Sequence, residues 1–154
     1  MKNSLLLLAL ASGLTFTSCS KDDDTVPQTK TEMLTGKNWK VIAQTTSVNN
    51  GTPSDTYATE KACTKDDFET YASDGNVTFD EGPTKCAVNE PQTQSGTWAF
   101  VEDESKLKIT RSNIPTEYTI TELTASSMVL TTTQTFTQSG QTSTYTYVSK
   151  YGLQ

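Results

Sequence analysis

The chain contains no histidine, and that absence narrows its function more than any residue present. It removes the usual general base near neutral pH, the commonest metal ligand, and every arrangement in which an imidazole activates a serine or cysteine. Basic residues are scarce as well: 12 Lys and Arg against 18 Asp and Glu leave a net charge of −6. That balance repels nucleic acid and anionic headgroups, and no basic patch interleaved with aromatics offsets it. Long apolar runs are missing. Leu5–Leu14 is the longest, and it is about half of what a membrane-spanning helix requires. Long amphipathic helical patterns are also hard to find. No catalytic residue, metal-ligand set or cofactor motif stands out, so a non-enzymatic role without a cofactor is expected.

What is present begins with a leader. Lys2 supplies a positive start, Leu5–Leu14 an apolar middle, and the segment reads as a secretion signal. It ends on Phe16-Thr17-Ser18-Cys19, which resembles a lipobox, with a bulky apolar residue three before the cysteine and a small one just before it. The resemblance implies that Cys19 becomes the lipid-bearing first residue of the mature chain, held to a membrane through its acyl chains. Ser20, Lys21, Asp22, Asp23 and Asp24 follow directly. They resemble the acidic export tag of Bacteroidota lipoproteins, which implies an outer-membrane location facing the cell exterior. The same residues also suit a solvated tether, because acidic runs beside Thr, Pro and Gln stay disordered. The expected organisation is a signal peptide over 1–18, a lipidated acidic tether over 19–32 and one domain over 33–154.

The body of the chain reads as all-β. Thirty of its 154 residues are threonine, a side chain that suits pleated, half-solvated strands. Apolar stretches alternate with turn signals at short intervals. TGKNWKVIAQTTSV places Trp39, Val41 and Ala43 on one face of an opening strand, and Asp74-Gly75 marks a tight hairpin. Trp98 and Phe100 share a face before an EDES turn, and Leu107 and Ile109 return. The clearest hairpin aligns Met128, Leu130 and Phe136 with Tyr145, Tyr147 and Tyr151 around Gln138–Gln141. About eight antiparallel strands of this length close into a single up-and-down barrel, just wide enough to be filled by side chains or to hold one small ligand.

Apart from Cys19, the cysteines are Cys63 and Cys86, an even pair in an exported, oxidising setting, and a structural disulfide between them is expected. Asp66, Asp67 and Glu69 cluster without a calcium-loop spacing, and a solvated acidic face is the expected role. Trp98, Phe100, Tyr118, Tyr145 and Tyr147 are the candidate lining of a ligand cavity, although such aromatics more often fill a core.

Gly36-x-x-Trp39, Cys63-x-x-Asp66-Asp67, Asp74-Gly75, Gly82, Cys86, Gly96-x-Trp98 and the closing Tyr-rich hairpin together resemble the lipocalin-like lipoproteins of Bacteroidota. The resemblance spans roughly 34–151. It implies an eight-stranded calycin-type barrel, a lipid anchor and a bridge between the two matching cysteines. It departs from true lipocalins at Gly36-x-x-Trp39, which has two intervening residues, and in offering only Lys150 as a late cation. A barrel holding a small apolar or amphipathic molecule is the leading expectation. The alternative is a filled barrel that works through a protein partner, as an adhesin or complex subunit.

Overall fold

The computed structural model describes residues 27–154, so the leader, Cys19 and the Ser20–Asp24 tag lie outside the described residues. The described chain starts with a short helix, α1 (Lys30–Leu34). Thr29 caps it: the Glu32 amide donates to Thr29 Oγ1 at 3.2 Å, and the Thr29 amide donates to the Glu32 carboxylate at 2.8 Å. This capping box satisfies two amides that a helix start leaves without partners. Residues 29–32, expected in the tether, therefore belong to the folded domain.

Nine strands follow. They are β1 (Asn38–Val48), β2 (Ser54–Asp55), β3 (Phe68–Tyr71), β4 (Asn76–Asp80), β5 (Thr93–Val101), β6 (Lys106–Arg111), β7 (Ile114–Leu123), β8 (Ser127–Gln138) and β9 (Gln141–Leu153). A 3-10 turn at Tyr57–Thr59 and the short helix α2 (Ala62–Lys65) lie between β2 and β3. Strands β3 to β9 pair in chain order, and β1 closes the ring by pairing with both β3 and β9. The result is the expected eight-stranded antiparallel up-and-down barrel, with β2 added as a two-residue flank on β1. Closure matters here because threonine-rich strands with free edges would pair with neighbouring molecules.

The closure is uneven. β1 and β9 pair from Trp39↔Leu153 to Val48↔Tyr145, a long seam interrupted by a bulge between Val41 and Ala43. β1 and β3 share two residue pairs only, Asn38↔Thr70 and Trp39↔Glu69. Above Trp39 these two strands part, and the Tyr57–Thr59 turn and α2 cross the gap. The bulge also corrects one expectation: Ala43 sits opposite Lys150, exposed, while Trp39 and Val41 stay on the inner side.

The two ends of the barrel differ. At one end α1 acts as a plug. Leu34 is fully buried, and the Trp39 indole N–H donates to its carbonyl at 2.8 Å. Lys37 holds the same end by donating to the carbonyls of Met33 at 2.8 Å and Ala125 at 2.9 Å. Tyr71, Val77, Trp98, Leu107, Met128 and Leu130 pack the interior above the plug. Gly96 fits this core because a Cβ there would lie 2.4 Å from the Thr110 carbonyl and 3.1 Å from the Phe79 ring. At the other end β8 and β9 run on past Thr131, where the pairing with β7 stops, with β1 still paired to β9 as far as Tyr145 and the Gln138–Gln141 turn projecting beyond.

Candidate functional site

The open end holds a hollow of about 150 Å³. Its apolar wall comes from Trp39 and Val41 on β1, Phe68 on β3, Phe79 on β4 and Tyr151 on β9. Its polar groups are Thr64 on α2, Asp67 and Glu69 at the start of β3, Asp80 and Glu81 at the end of β4, and Arg111 at the end of β6. A second hollow of about 260 Å³, lined by Gln44, Tyr57 and Glu60, shares Val41 and Thr64 with the first. The two meet where β1 and β3 part, so α2 serves as the roof of a cup that α1 closes from below.

The roof is fastened covalently. Cys63 in α2 is bonded to Cys86 in the loop after β4, with Cα atoms 5.2 Å apart. The cysteine pair is thus the expected disulfide, and it ties together the two segments that flank the acidic rim.

Charge is distributed unequally in the cup. Glu69 alternates with Phe68 and Thr70 along β3, which puts it on the same inner face as the fully buried Tyr71. The Tyr71 hydroxyl donates to its carboxylate at 2.5 Å. Burial raises the Glu69 carboxyl above its ordinary range, while the Tyr71 hydrogen bond and Arg111 pull it down. Burial, and then Glu69, push the Tyr71 and Tyr151 hydroxyls well up. Asp67 is pushed to about 6, first by burial and then by the like charges of Glu81 and Asp66. Asp67 Oδ1 and Asp66 Oδ1 are both shut off from solvent without a hydrogen-bond partner. Asp80 is engaged, accepting from the Gly82 amide and the Gln92 side chain, each at 2.8 Å. Arg111 turns toward ring and amide: its guanidinium lies 4.5 Å from the Phe79 centroid, and its Nε donates to Gln94 at 2.8 Å. The solvated acidic face expected for Asp66, Asp67 and Glu69 is therefore corrected for Glu69, which faces inward. Among the described residues no group of three or more His, Cys, Asp or Glu is placed to hold a metal ion.

The five aromatic residues expected to line a cavity are separated by the barrel. Trp98 lies in the packed half, its indole donating to the Ala72 carbonyl at 2.9 Å and its ring edge-on to Tyr71 and Phe100. Phe100 and Tyr118 pack against the same core. Tyr145 and Tyr147 stack on each other along β9, opposite Val48 and Thr46 at the far end of the seam with β1, with Phe136 edge-on to Tyr145. None of the five borders the two hollows at the roof. Tyr145 borders a separate open groove with Phe136, Gln138, Gln141 and Ser143.

A sequence model of the lipocalin-like domain matches residues 34–130. The chain belongs to the lipocalin-like domain family. The match begins at Leu34, the buried residue of the plug, and ends within β8, and the structure adds β9 as the strand that closes the barrel. No curated protein matches the chain. In this lipocalin-like domain the cation nearest the opening-strand tryptophan is Lys37, 6.0 Å from the Trp39 ring centroid. Lys150 lies opposite Ala43 and Val129 on the outer side and takes no part.

Proposed function

We propose that this lipocalin-like domain is a non-enzymatic binding module that holds a small amphipathic molecule in the cup beneath α2. One observation carries the reading. The barrel interior is packed solid over the plug yet hollow at the roofed end, where aromatic walls and several carboxylates face the same space. Ligand sites combine apolar walls with a few convergent polar groups in this way, and buried groups with displaced pKa values gather at functional sites. The combined hollows suit a molecule at the small end of the ligand range, which begins at roughly 300 Å³.

The leader, Cys19 and the Ser20–Asp24 run support placing the module on the outer membrane through a lipid, facing the exterior. A C19S change is expected to release the protein into the soluble fraction, and protease added to intact cells is expected to remove the domain. Full protection would place it on the inner face. Native mass spectrometry of protein taken from its own membrane tests the binding reading. A small adduct lost on denaturation supports it, provided that V41W, which fills the space shared by both hollows, removes the adduct. An adduct-free wild type with no thermal shift across an amphipathic library counts against it.

A second reading has its own support. No charged residue lies between Thr124 and Ser149, and Phe136 on the projecting arm is 53% exposed. A neutral, aromatic-bearing arm suits contact with a protein partner. Cross-linking from residue 138 on intact cells separates this role from a purely ligand-binding one.

A further inference from the structure

We infer that the molecule held in the cup is a protonated organic amine, its ammonium group seated between Glu69 and Asp67 and its carbon body against Trp39, Phe79 and Tyr151. This rests on the reading of the cup as a binding site and adds the charge of the occupant.

Four acidic residues line the hollow of about 150 Å³, against a single basic one, Arg111. The arginine stacks on Phe79 and gives its Nε to Gln94, and it acts on Glu69 and Asp67 through space without a direct ion pair. The two salt bridges among the described residues both belong to Lys106, far along the closed end of β6, so no carboxylate of the cup is held in a direct ion pair. A carboxylate inside a barrel is costly to keep unless a cation or several donors meet it. Glu69 receives one donor, the Tyr71 hydroxyl, which fixes the orientation of its carboxylate on the inner face. Asp67 Oδ1, at the rim of the same hollow, has neither solvent nor a partner. An ammonium group carries three donors and no acceptor, so it can meet both carboxylates at once. The rings around it add attraction between a cation and aromatic faces.

A carboxylate-bearing molecule, by contrast, would face Glu69, Asp67 and Glu81 with one guanidinium, Arg111, to set against them. A neutral alcohol would bring one donor and no charge to two carboxylates. The geometry thus separates three ligands of nearly identical shape. Phenethylamine, 2-phenylethanol and 3-phenylpropanoate form such a set, since they share the phenyl-ethyl body and differ in the charge of the end group.

Titrating each into the intact protein at pH 7.5 while following tryptophan fluorescence, with thermal shift as a second readout, tests the inference. The amine is expected to bind at least about tenfold more tightly than the alcohol, the factor that one charge-assisted hydrogen bond supplies. The acid is expected to bind more weakly still. E69Q, which keeps the shape and a partner for Tyr71, is expected to weaken amine binding about tenfold and leave the alcohol unchanged. D67N is the second variant, and it carries the same expectation should E69Q not fold. Equal affinity for amine and alcohol, or preference for the acid, would overturn the charge of the occupant and leave the cup a binding site. Binding of none of the three, together with an adduct-free native mass spectrum, would overturn both. Amine binding that survives V41W would place it outside the cup and overturn the inference as well.

Discussion

Replacing both Cys63 and Cys86 by serine should leave the barrel folded and lower its stability by about 3 kcal/mol in the chain-entropy account of disulfides. The bridge closes a loop of 23 residues' separation, and the cost is that of letting this loop expand in the unfolded chain. Little should be added from the folded side, because Cys86 is exposed and Cys63 is only half-buried, so neither sulfur fills the core. For a domain of this size the loss corresponds to a midpoint lowered by about 10 °C. Urea unfolding followed by tryptophan fluorescence supplies the free energy. Hydrogen exchange supplies its location: faster exchange is expected over 62–66 and 82–90, with β8 and β9 unchanged. A loss below about 1 kcal/mol would mean that the unfolded chain is already constrained there. Faster exchange throughout β8 and β9 would refute the idea that the bridge fastens a roof and spares the wall.

Three further outcomes follow from the same geometry. Trp98→Ala should cost about 3–5 kcal/mol, as for large aromatics removed from a core, whereas Tyr145→Ala, half-buried where the β1–β9 pairing ends, should cost about 1 kcal/mol; urea midpoints of the two variants check this. Gly96→Ala should destabilise strongly even though alanine is small, since its Cβ would press on the Thr110 carbonyl at 2.4 Å. A circular-dichroism melt no lower than that of the wild type would contradict the fit. Asp67 titrates higher when folded than the 3.8 of a free carboxyl, near 6. The folded state therefore takes up its proton first as pH falls, and stability should decline as pH rises from 4 to 6 and level off above. D67N should flatten that slope and leave the part due to Glu69, whose carboxyl is also raised, as measured by urea midpoints across pH.

The strand pattern of this domain was legible where a turn carried a local signature. Asp74-Gly75, the EDES turn and Gln138–Gln141 fall where hairpins form, with Gly75, Glu102 to Glu104, Ser139 and Gly140 at positive φ. The bulge at Ile42 was not legible. Strict alternation put Ala43 beside Trp39 and Val41, and only the pairing with β9 reveals the extra residue that turns it outward. The plug was partly legible: Thr29-x-x-Glu32 ahead of Met33 and Leu34 has the form of a capping box. A five-residue helix is too short to show a period, and its polar flank reads as tether.

The cup shows what alternation leaves open. Along one strand it assigns a residue to the inner or outer face, and Trp98, Phe100, Tyr118, Tyr145 and Tyr147 all satisfy it. It says nothing of height along the barrel axis, and height decides which of them border the hollow. Trp98 sits low, over the plug; Tyr145 sits above the rim; Glu69 and Tyr151 lie between, where the wall parts. Height depends on which residue of one strand meets which of the next, and so on the accumulated stagger of all eight. One quantity in the chain did point to the level of the cup. Glu69 stands two residues before Tyr71 on a four-residue strand, so the face that buries one ring must also receive one carboxylate. A strand that short has no register at which it could turn that charge to water without exposing Tyr71, and the hydrogen bond between the two is the compromise the fold reaches.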